Sequence, residues 1–311
     1  MRGTLFRLLD VGAPSYFILL LTGFILATII GCLWARRIGE DPDVIVDFSL
    51  AMLLSGVVGA RVLHVLADGY FWDYVHLCTD PSKVDWRVTA AECASPRYAG
   101  VWDAAKNVCH PKEADCLAWA AFWAGGLAYY GGIAAALPAG YWLLKRDGFP
   151  FWKAADLVGM VMALGLSFGR MGCLLAGCCF GVHTESAVGL VFPPFSPASE
   201  WQWRHGMLAT KAAPSLAVLP TQIFESAASL GIFAFCLLWL HPRKRYDGQV
   251  FFGMIALYSV ARFVLEFFRS DDRGGVGPLS TSQWIGVALV VAARLAHRAR
   301  SAGRLQIVTT A

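Results

Sequence analysis

Residues 155–181 read ADLVGMVMALGLSFGRMGCLLAGCCFG, an apolar run long enough to cross a lipid bilayer as a helix. Near its end, Arg170 and three cysteines, Cys173, Cys178 and Cys179, stand among glycines. An arginine stays charged and is costly to bury in hydrocarbon, so its position favours a polar site that handles an anion. The surrounding glycines are equally typical of close helix packing.

Apolar runs of similar length recur along the chain, in which 57% of the 311 residues are hydrophobic and 15% are charged. One soluble core would not use so much apolar surface, so the composition indicates an integral membrane protein. We predict a single all-α polytopic membrane domain over residues 1–311, with about seven transmembrane helices around a central lipid-binding cavity. The predicted spans are Tyr16–Trp34, Phe48–Ala67, Leu117–Leu144, Ala155–Ala176, Leu219–His241, Val250–Phe268 and Ser282–Ala296.

Lysines and arginines follow the first, third, fifth and seventh predicted spans, and the positive-inside rule places all four clusters in the cytoplasm. We therefore predict an external amino terminus, which Arg2 and Arg7 oppose weakly, and a cytoplasmic basic tail over residues 294–311. Anchoring at helix ends accounts for the net charge of +4, and nothing supports a nucleic-acid partner. The anchoring residues are Arg36, Arg37, Lys145, Arg146, Arg243, Lys244, Arg245, Arg294, Arg298, Arg300 and Arg304.

Two long connections are predicted to lie outside the membrane. Residues 68–116 contain four cysteines, for which oxidising surroundings make two disulfides the favoured interpretation. The sequence leaves their pairing open, and a zinc site is less favoured because the spacing contains no paired CxxC. Residues 182–218 are rich in proline and aromatic residues and are predicted to form an external cap. The four cysteines are Cys78, Cys93, Cys109 and Cys116.

Polar residues in the first three spans are candidates for contacts with a substrate. Arg61 lies in the second span, where a charged group is expensive unless it faces a cavity or reaches the interface. Tyr129 and Tyr130 stand between paired glycines of the third span, which let helix backbones approach closely. We predict that Arg61 and Tyr129, with Tyr16 at the start of the first span, bind substrate.

The fifth and sixth spans carry further charged groups. Gln222 and Glu225 share one face at the start of span five, as expected for residues three apart. Arg262, Glu266 and Arg269 form a ladder of alternating charge at the end of span six. Such a ladder inside a membrane favours a functional cavity over a structural ion pair.

Arginines, carboxylates and tyrosines from different spans can together clamp a phosphate. The residues therefore indicate a protein that handles an anionic amphiphile, either as an enzyme or as a lipid carrier. A third interpretation is a thiol or metal enzyme that uses the three cysteines near Arg170 together with His183. Close packing explains these cysteines more simply, and we predict no metal site.

Several spaced motifs resemble those of the prolipoprotein diacylglyceryl transferase family, in the same order along the chain. Asp156 precedes the segment that resembles the signature helix of the family. The matching segments are GARVLHVL (Gly59–Leu66), FWAGGLAYYGG (Phe122–Gly132), GRMGCLLAGCCFG (Gly169–Gly181), PTQIFE (Pro220–Glu225), the stretch from Asp247 to Asp272, and LSTSQW (Leu279–Trp284).

The resemblance implies transfer of the diacylglyceryl group of phosphatidylglycerol to the lipobox cysteine of a preprolipoprotein signal peptide, with release of glycerol 1-phosphate. It implies a bacterial inner-membrane enzyme in contact with membrane lipid, with no cofactor. The expected catalytic residues are Arg170, Arg262, Tyr130 and Glu266. The expected substrate-binding residues are Tyr16, Arg61, Tyr129, Gln222, Glu225 and Arg269.

The chain departs from the family pattern at several positions. Tyr130 stands where many members have a histidine that is a proposed base, and Leu219 replaces the histidine before the PTQ segment. In the signature helix, Cys173, Ala176 and Cys178 replace two asparagines and a carboxylate. The scaffold and the arginines therefore match the family better than the acid and base groups do.

The orientation can be tested by labelling single introduced cysteines with a membrane-impermeant maleimide. Arg245→Cys lies in a predicted cytoplasmic loop, so we expect labelling only after the cells are permeabilised. Ala187→Cys, in the predicted external cap, is the matched control and should react in intact cells. The parent protein gives the background from native thiols, and labelling of Arg245→Cys in intact cells would invert the orientation.

Overall fold

Helices make up most of the chain in the computed structural model, which describes residues 4–8, 11–95, 98–122, 126–270 and 274–309. Three parts of the sequence patterns lie outside the described residues: Arg2, residues 123–125 of the FWAGGLAYYGG segment, and residues 271–272 at the end of the stretch from Asp247 to Asp272. The helices are α1 (Ser15–Arg37), α2 (Pro42–Ala67), α3 (Phe71–Thr79), α4 (Ala90–Cys93), α5 (Tyr129–Arg146), α6 (Phe151–Ala176), α7 (Pro197–Arg204), α8 (Thr221–Phe235), α9 (Gln249–Glu266) and α10 (Thr281–Thr309).

Short antiparallel strand pairs lie before α1, between α4 and α5, and between α9 and α10, and they form no larger sheet in the described part of the chain. In the middle pair, Val101 is opposite His110 and Asp103 is opposite Val108. The pairs are β1 (Thr4–Leu8) with β2 (Val11–Pro14), β3 (Val101–Asp103) with β4 (Val108–His110), and β5 (Gly275–Val276) with β6 (Leu279–Ser280).

Five helices of the described chain are long and apolar enough to cross a membrane, which confirms a mostly helical membrane protein. Helices α5 and α10 occupy the third and seventh predicted spans but are not among these five, so the number of seven is not confirmed. The five candidate spans are Tyr16–Arg37, Pro42–Ala67, Phe151–Ala176, Thr221–Arg243 and Gln249–Glu266. The fourth of them continues α8 through one π turn and one 3₁₀ turn.

The prediction that the third span begins at Leu117 is wrong, because α5 begins at Tyr129. The guanidinium of Arg61 binds three backbone carbonyls in the chain between Leu117 and the start of α5. It donates to the carbonyl oxygens of Ala118 and Trp119, both at 2.7 Å, and to that of Gly126 at 3.1 Å. Ala118–Ala120 form a separate 3₁₀ turn, and Arg61 binds carbonyls both in this turn and at Gly126, just before α5.

Glycines bring α2 and α5 into close contact, as their spacing predicted. A Cβ atom at Gly59 would collide with the backbone oxygen of Gly131, and one at Gly131 would collide with that of Gly59. Only residues without a side chain permit this approach.

The chain divides into two compact units, one made of Met1–Ile45 with Phe149–Ala311 and the other of Val46–Gly148. In the first unit, the buried Asp156 of α6 fixes the start of α9. Its Oδ1 accepts hydrogen bonds from the backbone N–H of Val250 at 2.9 Å and of Phe251 at 3.2 Å, and its Oδ2 pairs with Lys244 at 2.8 Å. The carboxylate thus accepts hydrogen bonds from backbone N–H groups that have no acceptor within the first turn of the helix.

The end of the first unit that contains Asp156 also carries the basic residues after α1 and α8. Lys153, in the first turn of α6, pairs with Glu40 at 3.0 Å. The indole N–H of Trp34 donates to Nε2 of His241 at 2.9 Å, which joins the ends of α1 and of the extended α8. We refer to this region as the basic end; the carboxyl end of α6 lies at the opposite end.

Residues 182–218 form an ordered segment, although their external location stays a prediction. Phe192 and Val218 are buried in a small core together with Phe180, Leu174 and Ala198. Helix α7 contributes Gln202, whose side-chain oxygen accepts the backbone N–H of Leu216 at 2.7 Å.

The four cysteines of residues 68–116 form two disulfides, Cys78–Cys116 and Cys93–Cys109, which confirms the favoured interpretation and resolves the pairing. We expect mass spectrometry of the unreduced protein to find these two cross-linked peptides, because each bond joins segments held together in the fold. Reduction before digestion should release all four peptides. A Cys78–Cys93 link, or four free thiols, would contradict the structure.

Candidate functional site

A buried carboxylate, Glu225 in the second turn of α8, gathers three arginines from two other helices and the segment after α9. Its Oε1 lies 3.0 Å from Nη2 of Arg170, and its Oε2 lies 3.7 Å from Nη1 of Arg262 and 3.6 Å from Nη1 of Arg269. Tyr258 of α9 donates its hydroxyl to Oε1 at 2.9 Å. Glu225 is only 1% exposed, so these attractions act with little screening by water.

Glu266 adds a second carboxylate to this group. Its Oε2 lies 2.6 Å from Nη2 of Arg262, one turn earlier on α9, as the spacing of four residues predicted. Its Oε1 accepts the hydroxyl of Ser282 in the first turn of α10. The pair therefore orients Arg262 and ties α10 to α9.

We call Arg170, Arg262, Arg269, Glu225 and Glu266 the arginine cluster. All five groups are buried or mostly buried, and three positive and two negative charges leave one net positive charge. A buried excess charge is unfavourable unless a partner of opposite sign balances it. The arginine cluster is therefore suited to bind one negative charge.

The chain after α6 packs against the start of α8 through backbone carbonyls. Gly177 caps α6 in the left-handed conformation, with φ of 74°, which glycine adopts without strain. Gln222 then donates to the carbonyl of Cys178 at 2.7 Å, and the Thr221 hydroxyl donates to that of Cys179 at 2.9 Å. Gln222 is thus a positioning residue for this turn.

Gly181 closes the same region because it lies between two other backbones. Its N–H donates to the carbonyl of Leu219 at 2.9 Å, and the next N–H, that of Val182, donates to the carbonyl of Phe268 at 2.9 Å. A Cβ atom at Gly181 would lie 2.7 Å from both carbonyl oxygens. Any side chain here would separate α8 from the end of α9.

Three thiols meet beside the arginine cluster. The sulfur atoms of Cys173, Cys178 and Cys179 all lie within 4.8 Å of one another. Cys173 is one turn beyond Arg170 on α6. Hydrogen bonds from the two neighbouring thiols and from Arg269 lower the pKa of the Cys179 thiol. His183 is not a member of this group in the described chain, and its Nδ1 donates to the carbonyl of Ala217 at 2.8 Å.

The other predicted site residues lie elsewhere. In the first unit, the ring of Tyr16 contacts α6 at Gly172, where a Cβ atom would lie 2.8 Å from it. Arg61, Tyr129 and Tyr130 belong to the second unit. Arg61 holds backbone carbonyls, whereas Tyr129 and Tyr130 are 75% and 66% exposed at the start of α5. Their roles toward a substrate stay predictions.

Tyr258, Thr221 and Ser282 are members of the site that sequence reasoning did not select. A signal for Tyr258 was present, because Tyr258, Arg262 and Glu266 are each four residues apart and share one face of α9. Ser282 and Thr221 are ordinary helix-start residues, and only the fold places their hydroxyls at the site.

The central lipid-binding cavity is not confirmed. The arginine cluster is closed by its own ion pairs, and a groove of about 540 Å³ lies instead toward the basic end, between α9 and α10. It is lined by Leu240, Phe252, Ala256, Val290, Arg294 and His297, among others.

Comparison with known proteins agrees with the motif resemblance. Residues 4–92 and 97–297 match the family model described as prolipoprotein diacylglyceryl transferase. A Clostridium perfringens protein named phosphatidylglycerol–prolipoprotein diacylglyceryl transferase 2 is 29% identical over 293 residues, which cover 94% of this chain and 92% of the relative. A Clostridium tetani protein of the same name without the number is 26% identical over 294 residues, 94% of each chain. A Stenotrophomonas maltophilia namesake is 33% identical over 160 residues, 49% of this chain and 53% of its own.

Replacing Glu225 by glutamine should destabilise the protein strongly. The amide keeps the shape and can accept from Tyr258, but it leaves three guanidiniums without their shared counter-charge. Breaking buried ion pairs in this way costs about 3–5 kcal/mol. Thermal unfolding in detergent measures the effect, with the exposed Glu185→Gln as the control. Equal stability of the two variants would contradict the role of Glu225.

Proposed function

Because the chain belongs to the prolipoprotein diacylglyceryl transferase family, we propose that it moves the diacylglyceryl group of phosphatidylglycerol to the lipobox cysteine of a preprolipoprotein signal peptide. Glycerol 1-phosphate is the other product. The protein is a membrane-bound transferase, and its lipid substrate is a component of the membrane that its apolar helices cross.

The net positive charge of the arginine cluster is the observation that carries the proposal. The phosphodiester of phosphatidylglycerol carries one negative charge, which matches the excess charge of the cluster. When the carbon–oxygen bond breaks, further negative charge develops on the leaving phosphate. Guanidiniums that are already held in place stabilise this charge without reorganisation, and a planar fork can contact two phosphate oxygens at once.

Each member of the cluster has a distinct proposed role. Arg170 and Arg262 contact the phosphate, and Arg269 adds charge beside the thiols. Glu266 orients Arg262 through the 2.6 Å ion pair, and Glu225 holds the three arginines together. Tyr130, at the exposed start of α5, acts in catalysis, and Tyr129 beside it contacts lipid or signal peptide. We assign Tyr16 and Arg61 to substrate binding as well.

The location of the site supports the proposed orientation. The arginine cluster lies at the opposite end of the first unit from the basic end, where the residues after α1 and α8 meet. With the basic end in the cytoplasm, the cluster faces the outer leaflet of the bacterial inner membrane. Secreted preproteins present their lipobox on that side.

Purified protein in lipid nanodiscs with radiolabelled phosphatidylglycerol and a lipobox peptide tests the proposal. We expect label on the cysteine peptide in a thioether that survives hydroxylamine, and none on the matched serine peptide. Lipid binding without transfer would instead identify a carrier that has kept the fold and lost the chemistry. Rescue of a strain depleted of its own transferase provides the test in cells.

Arg262→Ala should lower the rate of transfer by about 100-fold or more, because one fixed donor to the developing charge is lost. Arg262→Lys should restore part of the rate, since it keeps the charge but not the planar fork. Arg204→Ala, at an exposed position of α7, is the control and should retain full activity. A folded Arg262→Ala protein with the parent rate would remove this residue from the reaction.

A further inference from the structure

The three thiols beside the arginine cluster have the spacing of a metal site. In a tetrahedral zinc thiolate the Zn–S bonds are about 2.3 Å, so the sulfur atoms are about 3.8 Å apart. The sulfurs of Cys173, Cys178 and Cys179 lie within 4.8 Å of one another, so movements of about 1 Å bring them to that distance. Side-chain rotation at the partly buried cysteines can supply this movement.

The surroundings favour the charge that such a site would carry. Zinc with three thiolates has one net negative charge, which nearby guanidiniums attract in a poorly solvated place. Arg170 lies one turn before Cys173 on α6, and Arg269 is hydrogen-bonded to the sulfur of Cys179. Two guanidiniums therefore border the thiols before any metal is added.

The number of ligands is as informative as their spacing. Structural zinc sites are closed by four protein ligands, whereas catalytic sites have three and leave the fourth position to water or substrate. The described group contains three sulfurs, and His183, the obvious fourth ligand in the sequence, lies outside it. The site is thus of the open type.

The proposed reaction needs a way to make a thiolate. The acceptor reacts as a thiolate, and a neutral phenol such as Tyr130, at the position where many relatives have a histidine, is a proton donor rather than an acceptor. A thiol that coordinates zinc loses its proton outright. Cys173 and Cys178, which stand where the family pattern has an amide and a carboxylate, therefore supply with Cys179 what the missing histidine would otherwise supply.

We propose that Cys173, Cys178 and Cys179 bind one zinc ion and that the lipobox cysteine of the acceptor becomes its fourth ligand. This inference rests on the proposed function. On binding, the acceptor thiol releases its proton to solvent. Its sulfur then attacks the glycerol carbon next to the phosphate, a carbon–sulfur bond forms, and the carbon–oxygen bond breaks. The electron pair leaves with the phosphate oxygen as glycerol 1-phosphate, and the thioether product, a weak ligand, departs.

The position of the metal suits this step. Because the thiols border Arg170 and Arg269, a thiolate held on the zinc and a phosphate held by the arginine cluster would be neighbours. This arrangement holds the nucleophile close to the carbon that bears the leaving group. The entropy of bringing the two together is lost on binding, so it no longer adds to the barrier of the chemical step.

Metal binding can be measured without any transfer assay. Protein purified without chelators should contain about one zinc per chain by elemental analysis, as expected for three thiolate ligands. After removal of zinc, Co²⁺ should bind in its place and give the intense visible absorption of tetrahedral cobalt thiolate. Cys178→Ala should lose both signals. Cys32→Ala and Cys236→Ala, which alter free cysteines of α1 and of the π turn outside the group, should keep them.

The fourth-ligand claim has its own readout. Addition of a lipobox peptide to the cobalt protein should change the absorption spectrum, whereas the matched serine peptide should leave it unchanged. Transfer should fall with removal of zinc and return when zinc is restored. Cys178→Ser is a smaller change than Cys178→Ala and should also lose the metal. If its cooperative thermal unfolding is retained, the lost signal reflects loss of the metal and not loss of the fold.

Three results would overturn the inference. The first is the absence of stoichiometric zinc or cobalt, and the second is a cobalt absorption spectrum that does not change when the cysteine peptide is added. The third is a metal-free triple cysteine-to-serine variant that keeps the parent rate of transfer. The last of these leaves the proposed function intact. Conversely, stoichiometric cobalt that responds to the cysteine peptide, in a zinc protein that forms no thioether, would reject the proposed function and keep the metal site.

Discussion

The ion pairs of Glu225 with three arginines are the interactions on which the site depends. Each arginine comes from a different place, on α6, on α9 and just after α9, and each would be expensive to bury alone. One carboxylate at the start of α8 offsets this cost for all of them and fixes the relative positions of the three helices at that end. The same ion pairs explain why these five charged residues persist in segments that otherwise suit a membrane, since each of them has a partner of opposite charge within the protein.

A second constraint acts through the backbone. Gly181 lies so close to two carbonyl oxygens that a side chain would push α8 and the end of α9 apart. The side chains of Thr221 and Gln222 donate hydrogen bonds to the carbonyls of Cys179 and Cys178. The first turn of α8, which is followed by Glu225, therefore also positions the turn that carries the thiols. The thiols and the arginines are therefore one structural unit, and a change in the turn is transmitted to the charges.

Much of the fold follows from local sequence, and the exceptions have identifiable causes. Long apolar runs predict the membrane helices because each helix satisfies its own backbone in lipid. The start of the third span was wrong: α5 begins at Tyr129, and the carbonyls of Ala118 and Trp119 bind Arg61, a partner distant in sequence. The disulfide pairing was open for the same reason: hydropathy contains no information about which of Cys93 and Cys116 approaches Cys109.

The sequence by itself determined that this is a helical membrane protein of a known transferase family, and it selected the arginines and glutamates of the site, because charge in an apolar helix and spaced motifs are local signals. Only the tertiary structure decided that Glu225 is the common partner of three arginines. It also decided that Cys173, Cys178 and Cys179 converge while His183 turns away. Such choices depend on distances between segments far apart in the chain, which arise only when the helices pack.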